Sequence, residues 1–354
     1  MFSLDDYGYD LPAERIAQQP TVQREQSRLL VLDRRSGTLS HRRFTDLDGL
    51  LAPSDVLVIN NTEVIPGRLY GRKDTGGRAE VLILDYAGRR FPENRADEFE
   101  CDCLVKSSKH ARVGSVLYFE QGLEAEILSV KNDIYTLKFK SPGNFEKILY
   151  GIGSVPLPPY IKREENPAST RDDRATYQTV YASRRGAIAA PTAGFHFSIP
   201  FLEKIKAKGI KIIEITLHIG YGTFLPVRVD DIRNHRMHAE RYSVSKAAAA
   251  AINQARAAGS RIIAVGTTCV RTLEFLAGRD AILTAAEGAC DLFIYPGYEF
   301  KIVDAMLTNF HLPKSTLLML VAAFAGRENI LNAYREAVAE NYRFYSYGDA
   351  MFIA

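Results

Sequence analysis

Three histidines stand in short loops rich in glycine and hydroxyl residues, and they are the first places to look for chemistry. In residues 191–197, His196 lies between Phe195 and Phe197 and follows Thr192 and Gly194. Imidazole exchanges protons near neutrality, and a Thr-Ala-Gly run lets a ligand approach the backbone closely. A histidine between two phenyl rings is equally what a packed core presents. Residues 217–224 join His218 to Gly220, Tyr221, Gly222, Thr223 and Phe224, where either aromatic ring suits stacking on a purine. Gly266, Thr267 and Thr268 open a helix, with Arg271 one turn on. Such a helix start suits a carboxylate or a ribose oxygen, although capping alone also accounts for it. Residues 308–313 set His311 two positions after Asn309. Proton transfer and polar-ligand binding are the chemistry that these four loops offer.

Other chemistries lack their residues. His235, His238 and Glu240 have a spacing that could converge on an ion. The stretch is not His-Glu-x-x-His, however, and we expect no metal. Pro313-Lys314-Ser315-Thr316 imitates the end of a phosphate-binding loop, but Thr308 and Pro313 stand where that loop needs glycines. No Gly-x-Gly-x-x-Gly follows a strand and no Gly-x-Ser-x-Gly elbow exists, which removes the strongest signals of dinucleotide dehydrogenases and α/β-hydrolases. Cys101, Cys103, Cys269 and Cys290 form no Cys-x-x-Cys pair, so reduced thiols are expected.

The elements that must position these loops are of α/β type. A short strand at 186–190, a helix capped by Ser198 and stopped at Gly209, a strand at 210–219, an alanine-rich helix from Ser245, a strand at 261–265, a helix at 268–277 and a strand at 291–296 alternate in the manner of a largely parallel sheet. Ligands bind at the strand ends of such sheets, where the four loops fall. Residues 67–150 differ. Short β-type runs at 78–85, 98–106, 113–119, 124–130 and 134–140 are separated by glycines or polar turns, and a small barrel is expected. Strand signals at 29–32 and 56–60 precede it. The expected organisation is therefore a discontinuous α/β catalytic domain of residues 1–66 and 151–354, carrying an inserted β-barrel domain of residues 67–150.

With 354 residues, the chain is long enough for two domains without covalent staples. Lysine and arginine number 45 against 42 acids. A net charge of +3 excludes a broad polycationic surface and confines any nucleic-acid contact to local patches. The candidates are Arg28 in an arginine-rich N-terminal segment and Arg68, Arg72, Lys73 and Arg78 on the presumed barrel. Acidic residues at positions 5 and 6 replace the bases of a secretory signal, so a cytoplasmic protein is expected. The longest apolar run, 317–325, is far short of a membrane span and reads as a buried helix.

The four loops occur together with Tyr9-Asp10-Leu11-Pro12, Ser27-Arg28-Leu29-Leu30, Tyr177-Gln178-Thr179-Val180-Tyr181, Met237-His238-Ala239-Glu240 and Tyr345-Ser346-Tyr347-Gly348-Asp349. In this the chain resembles the S-adenosylmethionine:tRNA ribosyltransferase-isomerase family of queuosine biosynthesis, over nearly its whole length. Glu63, where a basic residue is common, is a departure that bears on a local RNA contact. The resemblance implies an α/β domain with an inserted barrel. It also implies transfer of the ribosyl part of S-adenosylmethionine to 7-aminomethyl-7-deazaguanine at the wobble position of tRNAs with GUN anticodons. S-adenosylmethionine would be a consumed cosubstrate, with no tightly bound cofactor, and the chain would act as a monomer. On this reading His196, His218 and His311 are candidate proton carriers. Thr192, Gly194, Gly220, Tyr221, Gly222, Thr223, Phe224, Gly266, Thr267, Thr268, Arg271 and Asn309 would surround the cosubstrate. A non-catalytic RNA-binding module and an S-adenosylmethionine enzyme acting on a small molecule are the competing readings.

Overall fold

Val56-Leu57-Val58-Ile59 and Ile262-Ile263-Ala264-Val265 contain no polar residue, the mark of strands covered on both faces. The computed structural model describes residues 2–91, 98–108, 111–163, 172–278 and 281–354, and all statements on elements and contacts concern these residues. The chain begins with β1 (Arg28–Leu32), β2 (Leu39–Arg43), the short α1 (Leu47–Leu50), β3 (Val56–Asn60) and β4 (Thr62–Val64). Next come β5 (Arg68–Lys73), β6 (Arg78–Ile83), β7 (Glu98–Ser107), β8 (Val116–Tyr118), β9 (Glu124–Lys131), β10 (Ile134–Lys140) and α2 (Phe145–Ile152). After α3 (Asp173–Thr176) and β11 (Arg184–Ala187) follow α4 (Ile199–Ala207), β12 (Lys211–Leu217), β13 (Glu240–Val244), α5 (Lys246–Ala257), β14 (Ile262–Val265) and α6 (Thr267–Leu276). The chain ends with β15 (Ala286–Cys290), β16 (Ala305–Asn309), α7 (Thr316–Ala325), α8 (Arg327–Ala339) and β17 (Ala350–Ile353).

Nine strands form one sheet in the order β15-β13-β12-β3-β14-β16-β17-β1-β2. Its centre, β12-β3-β14-β16, is parallel, so the C-terminal ends of these strands share one edge. The flanks are mixed: β13, β15 and β2 join antiparallel, and β17 is antiparallel to β16 but parallel to β1. The expected parallel character thus holds for the centre and for the β17–β1 pair. The helices begin as their sequences dictate. Ser198, Ser245 and Ser315 each accept a backbone N–H of the first turn, capping α4, α5 and α7. The apolar run before Gly326 is the buried helix α7.

Two expected strands fall elsewhere. Residues 291–296 carry no strand, and β15 lies just before them. Ile294 sits in the core and Leu292, Phe293 and Tyr295 pack against it, so this run buries its side chains without ladder pairing. The run at 186–190 is shifted to β11, which pairs with β4 in a separate two-stranded sheet.

β10-β7-β6-β5-β8-β9 close into an antiparallel barrel. Alternation sets its register: Ala79, Val81 and Ile83 of β6, Phe99, Cys101 and Cys103 of β7, and Tyr135, Leu137 and Phe139 of β10 all point inward. β5 completes the circle. Its Arg-Leu-Tyr-Gly-Arg-Lys sequence reads poorly as a strand because only Leu69 is buried and Gly71 abuts Phe119, where a Cβ would come within 2.7 Å of the ring. Phe145 of α2 packs edge-on to Phe99 at 4.5 Å, against the barrel core. Arg241 of the main sheet pairs with Asp85 at 2.9 Å, and Arg185 of β11 with Glu146 of α2 at 2.7 Å, which ties the barrel to the main body.

Candidate active site

The loops leaving β14 and β16 at the shared sheet edge, the 189–193 segment and the start of α7 line a common cavity. Clefts with hydrophobic walls and a few polar groups are the usual form of small-ligand sites. Thr192, Thr223, Gly266, Thr267, Thr268, Arg271, Asn309 and His311 all line it. Gly266 has φ +89, a left-handed conformation that favours glycine, and it turns the chain from β14 directly into α6. The α6 N-terminus and its two threonine hydroxyls therefore open into the cavity, where the helix dipole favours an anionic group.

His311 is held from behind. Its carbonyl accepts from the Tyr9 hydroxyl, and its N–H donates to the Tyr334 hydroxyl at 3.0 Å. Nε2 lies 2.8 Å from the Thr308 hydroxyl, while Nδ1 has no hydrogen-bond partner among the described residues. Burial lowers its pKa from 6.5 to about 3, so the imidazole is neutral at pH 7.

His196 lies behind the cavity wall. It is 3% exposed, and its ring centroid is 5.1 Å from that of Phe44. Asn309 fixes its tautomer. The amide Nδ2 of Asn309 donates to the Tyr345 carbonyl at 3.1 Å and to His196 Nε2 at 3.3 Å, while Oδ1 accepts from the Thr192 hydroxyl at 3.4 Å. With Nε2 accepting, Nδ1–H of His196 donates to Ser27 Oγ at 2.7 Å, and that hydroxyl donates to the Arg24 carbonyl at 3.2 Å. Both ring nitrogens are thereby occupied, and burial lowers the pKa to about 3. His196 positions Asn309, which faces the cavity.

His218 belongs to a different space. Its Nδ1 lies 2.8 Å from the Thr62 hydroxyl, and its ring borders a polar cleft with Glu63, Arg184, Arg185, Arg241 and Glu287 between the barrel and the sheet edge. Burial lowers its pKa to about 4. The three histidines therefore serve three separate environments, and only His311 lines the main cavity.

The remaining expected residues also divide. Gly194 is needed for packing: a Cβ there would lie 2.0 Å from the Tyr181 hydroxyl. Gly220 donates its N–H to Glu240 at 2.9 Å, and Gly222 abuts His238. Tyr221 lines a neighbouring groove with Arg68, Lys106 and Ile188. The side chain of Phe224 lies outside the described set. Arg28 stacks over Tyr342 at 3.7 Å and Arg68 pairs with Glu80 at 3.4 Å, whereas Arg72 and Arg78 stand exposed and directly opposite each other across β5 and β6, next to Lys73. Of the spaced triad, His235 packs edge-on to Phe293, and Glu240 forms an ion pair with Arg271.

That ion pair was not legible beforehand. Both side chains are 4% exposed, and Arg271 also donates to the Leu292 carbonyl at 3.1 Å. Arg271 therefore reaches the cavity with its charge already matched. Sequence reasoning also missed the aromatic wall of Tyr160, Tyr177 and Tyr345. Tyr160 and Tyr345 meet at 4.7 Å between centroids, the Tyr160 hydroxyl lies 2.7 Å from Ser346 Oγ, and Tyr345 holds φ +69. A tyrosine in the left-handed region is a strained conformation of the kind that gathers at functional sites. Tyr177 and Tyr345 stood inside recognisable motifs, but nothing in an isolated tyrosine marks it as a cavity wall. Asn60, at the end of β3, was also missed. It bonds the N–H and C=O of Leu217 at 3.0 and 2.9 Å and lies 3.4 Å from Thr268 Oγ1, joining two of the converging strand ends.

Residues 4–353 match the family of queuosine biosynthesis proteins. This chain belongs to that family. It is 51% identical to the S-adenosylmethionine:tRNA ribosyltransferase-isomerase of Syntrophotalea carbinolica over 351 residues, covering 99% of both chains. It is also 51% identical to the enzyme of that name from Moorella thermoacetica over 355 residues, again covering 99% of both. Among solved structures it is similar to an S-adenosylmethionine tRNA ribosyltransferase from Thermotoga maritima, with 36% identity, a TM-score of 0.55, and 99% of this chain and 100% of that one covered. Family membership agrees with the α/β sheet and closed barrel described above.

Proposed function

We propose that this protein is an S-adenosylmethionine:tRNA ribosyltransferase-isomerase. In this reading it moves the ribosyl part of S-adenosylmethionine onto 7-aminomethyl-7-deazaguanine at the wobble position of tRNAs with GUN anticodons. Epoxyqueuosine is formed, and adenine and methionine are released. It works as a cytoplasmic monomer, and S-adenosylmethionine is consumed rather than recycled. Half-identity over the full length to enzymes of that name is the observation that carries the reading.

The cavity suits the chemistry. A sulfonium acidifies protons on the adjacent ribose 5′ carbon, so a base there opens the way to adenine loss. The acceptor amine must also shed a proton before its nitrogen attacks. His311, which lines the cavity with Nδ1 unpaired among the described residues, is our candidate proton carrier. Asn309, locked by His196, Tyr345 and Thr192, and the threonines at the α6 N-terminus orient the nucleoside. The tyrosine wall supplies flat apolar surface for the adenine.

Incubation with S-adenosylmethionine labelled in the ribose and precursor tRNA tests the reading: label is expected in RNA, and its absence from RNA refutes it. His311→Ala is expected to slow single-turnover adenine release by about 10²–10⁴-fold, the usual contribution of a positioned proton carrier. A folded variant reacting at the parental rate would remove His311 from that role.

A further inference from the structure

Among the described residues, two neighbouring arginines of the barrel wall have no counter-charge. Several other basic side chains on its wall are matched: Arg68 with Glu80 at 3.4 Å, Lys138 with Glu126 at 3.0 Å, and Arg90 with Glu100 at 3.4 Å. Arg72 and Arg78 are direct cross-strand partners on β5 and β6, both exposed, and neither makes an ion pair or side-chain hydrogen bond among the described residues. Like charges set opposite each other disfavour strand pairing. Two arginine forks held side by side instead match a phosphate.

The surroundings of this pair specify the ligand further. Tyr118 is the partner of Arg72 on the other side, in β8, and is 46% exposed. Tyr70, two positions before Arg72 and on the same face, is 57% exposed. Exposed rings interleaved with unpaired arginines make a surface on which bases stack while phosphates are gripped. The row continues toward the cavity. Two positions before Tyr70, Arg68 lines a groove with Lys106 of β7, Ile188 and Tyr221. Ala189, next to Ile188, bridges to Ile219, and both line the main cavity. From Arg72 to Arg68 the strand runs only about 13 Å.

We propose that the outward face of β5, β6 and β8 is the platform for the RNA strand flanking the modified nucleotide. Arg72 and Arg78 hold a backbone phosphate, Tyr70 and Tyr118 stack on bases, and the Arg68–Tyr221 groove leads the strand to the cavity. This inference rests on the tRNA reading above and assigns the face that serves it.

The test is binding of full-length precursor tRNA to the intact protein across a series of salt concentrations, with KM for tRNA measured in parallel. Arg72→Gln/Arg78→Gln is expected to weaken binding roughly tenfold or more. It should also reduce the slope of log affinity against log salt by about 0.7, the value for one single-stranded phosphate no longer neutralised. Tyr118→Ala is expected to weaken binding roughly fivefold or more, with the slope retained, because stacking is lost and charge is not. The urea midpoint of the arginine double variant should not fall, since a repulsive pair has been removed. A parent that binds and modifies tRNA, together with a double variant of unchanged slope and KM, overturns the platform and leaves the tRNA reading intact. A parent that neither binds nor modifies precursor tRNA refutes the tRNA reading itself.

Discussion

His196→Gln isolates one buried titration. In the folded protein the imidazole is 3% exposed and its pKa falls to about 3, because the charged form is desolvated and Arg343 and Arg24 lie near. In the unfolded chain it titrates near its ordinary 6.5. Between these values the unfolded state binds a proton that the folded state refuses. Acid therefore destabilises the fold, beginning as pH drops below about 6.5 and ending near 3. Going from about pH 7.5 to about pH 5, this one group removes about 2 kcal/mol of stability, since each pH unit below the unfolded pKa is worth about 1.4 kcal/mol. Glutamine retains hydrogen-bonding capacity but does not titrate. Urea denaturation of parent and variant at both pH values gives four free energies, and the parent is expected to lose about 2 kcal/mol more than the variant. Because His218 and His311 remain in both proteins, their contributions cancel in this comparison. Equal losses would show that His196 is not buried in the neutral form, and the hydrogen-bond assignment that fixes Asn309 would fall with it.

The buried Arg271–Glu240 pair gives a second expectation. Arg271→Met leaves the Glu240 carboxylate without its countercharge and should cost about 3–5 kcal/mol, while Arg271→Met/Glu240→Met should recover most of that loss; additive effects in urea melts would deny the pairing. Gly194→Ala should destabilise by about 1–3 kcal/mol or more, because its Cβ would lie 2.0 Å from the Tyr181 hydroxyl. That hydroxyl is buried without a partner among the described residues, so Tyr181→Phe should be close to neutral alone and should relieve part of the Gly194→Ala defect. Thermal melts of the three variants check both statements.

What the sequence determined by itself was whatever depends on neighbours along the chain. The serine caps of α4, α5 and α7, the inward alternation of β6, β7 and β10, the two-sided burial of β3 and β14 and the Gly266 turn into α6 are all local consequences of residue type and period. The family likeness, spread over the whole chain, was legible for the same reason. Tertiary structure decided which loops share a space. His196, His218 and His311 looked alike in sequence, each in a polar loop at a strand end, yet the parallel order β12-β3-β14-β16 brings the ends of β14 and β16 around one cavity. His218 is turned to the barrel side, and His196 is placed behind Asn309. The cation pair on the barrel was equally hidden, since only the ladder register sets Arg72 against Arg78, whereas Arg68 meets Glu80. Convergence of distant residues is fixed by strand order and register, and these are settled by which burial of the whole apolar surface is most favourable rather than by any local run of residues.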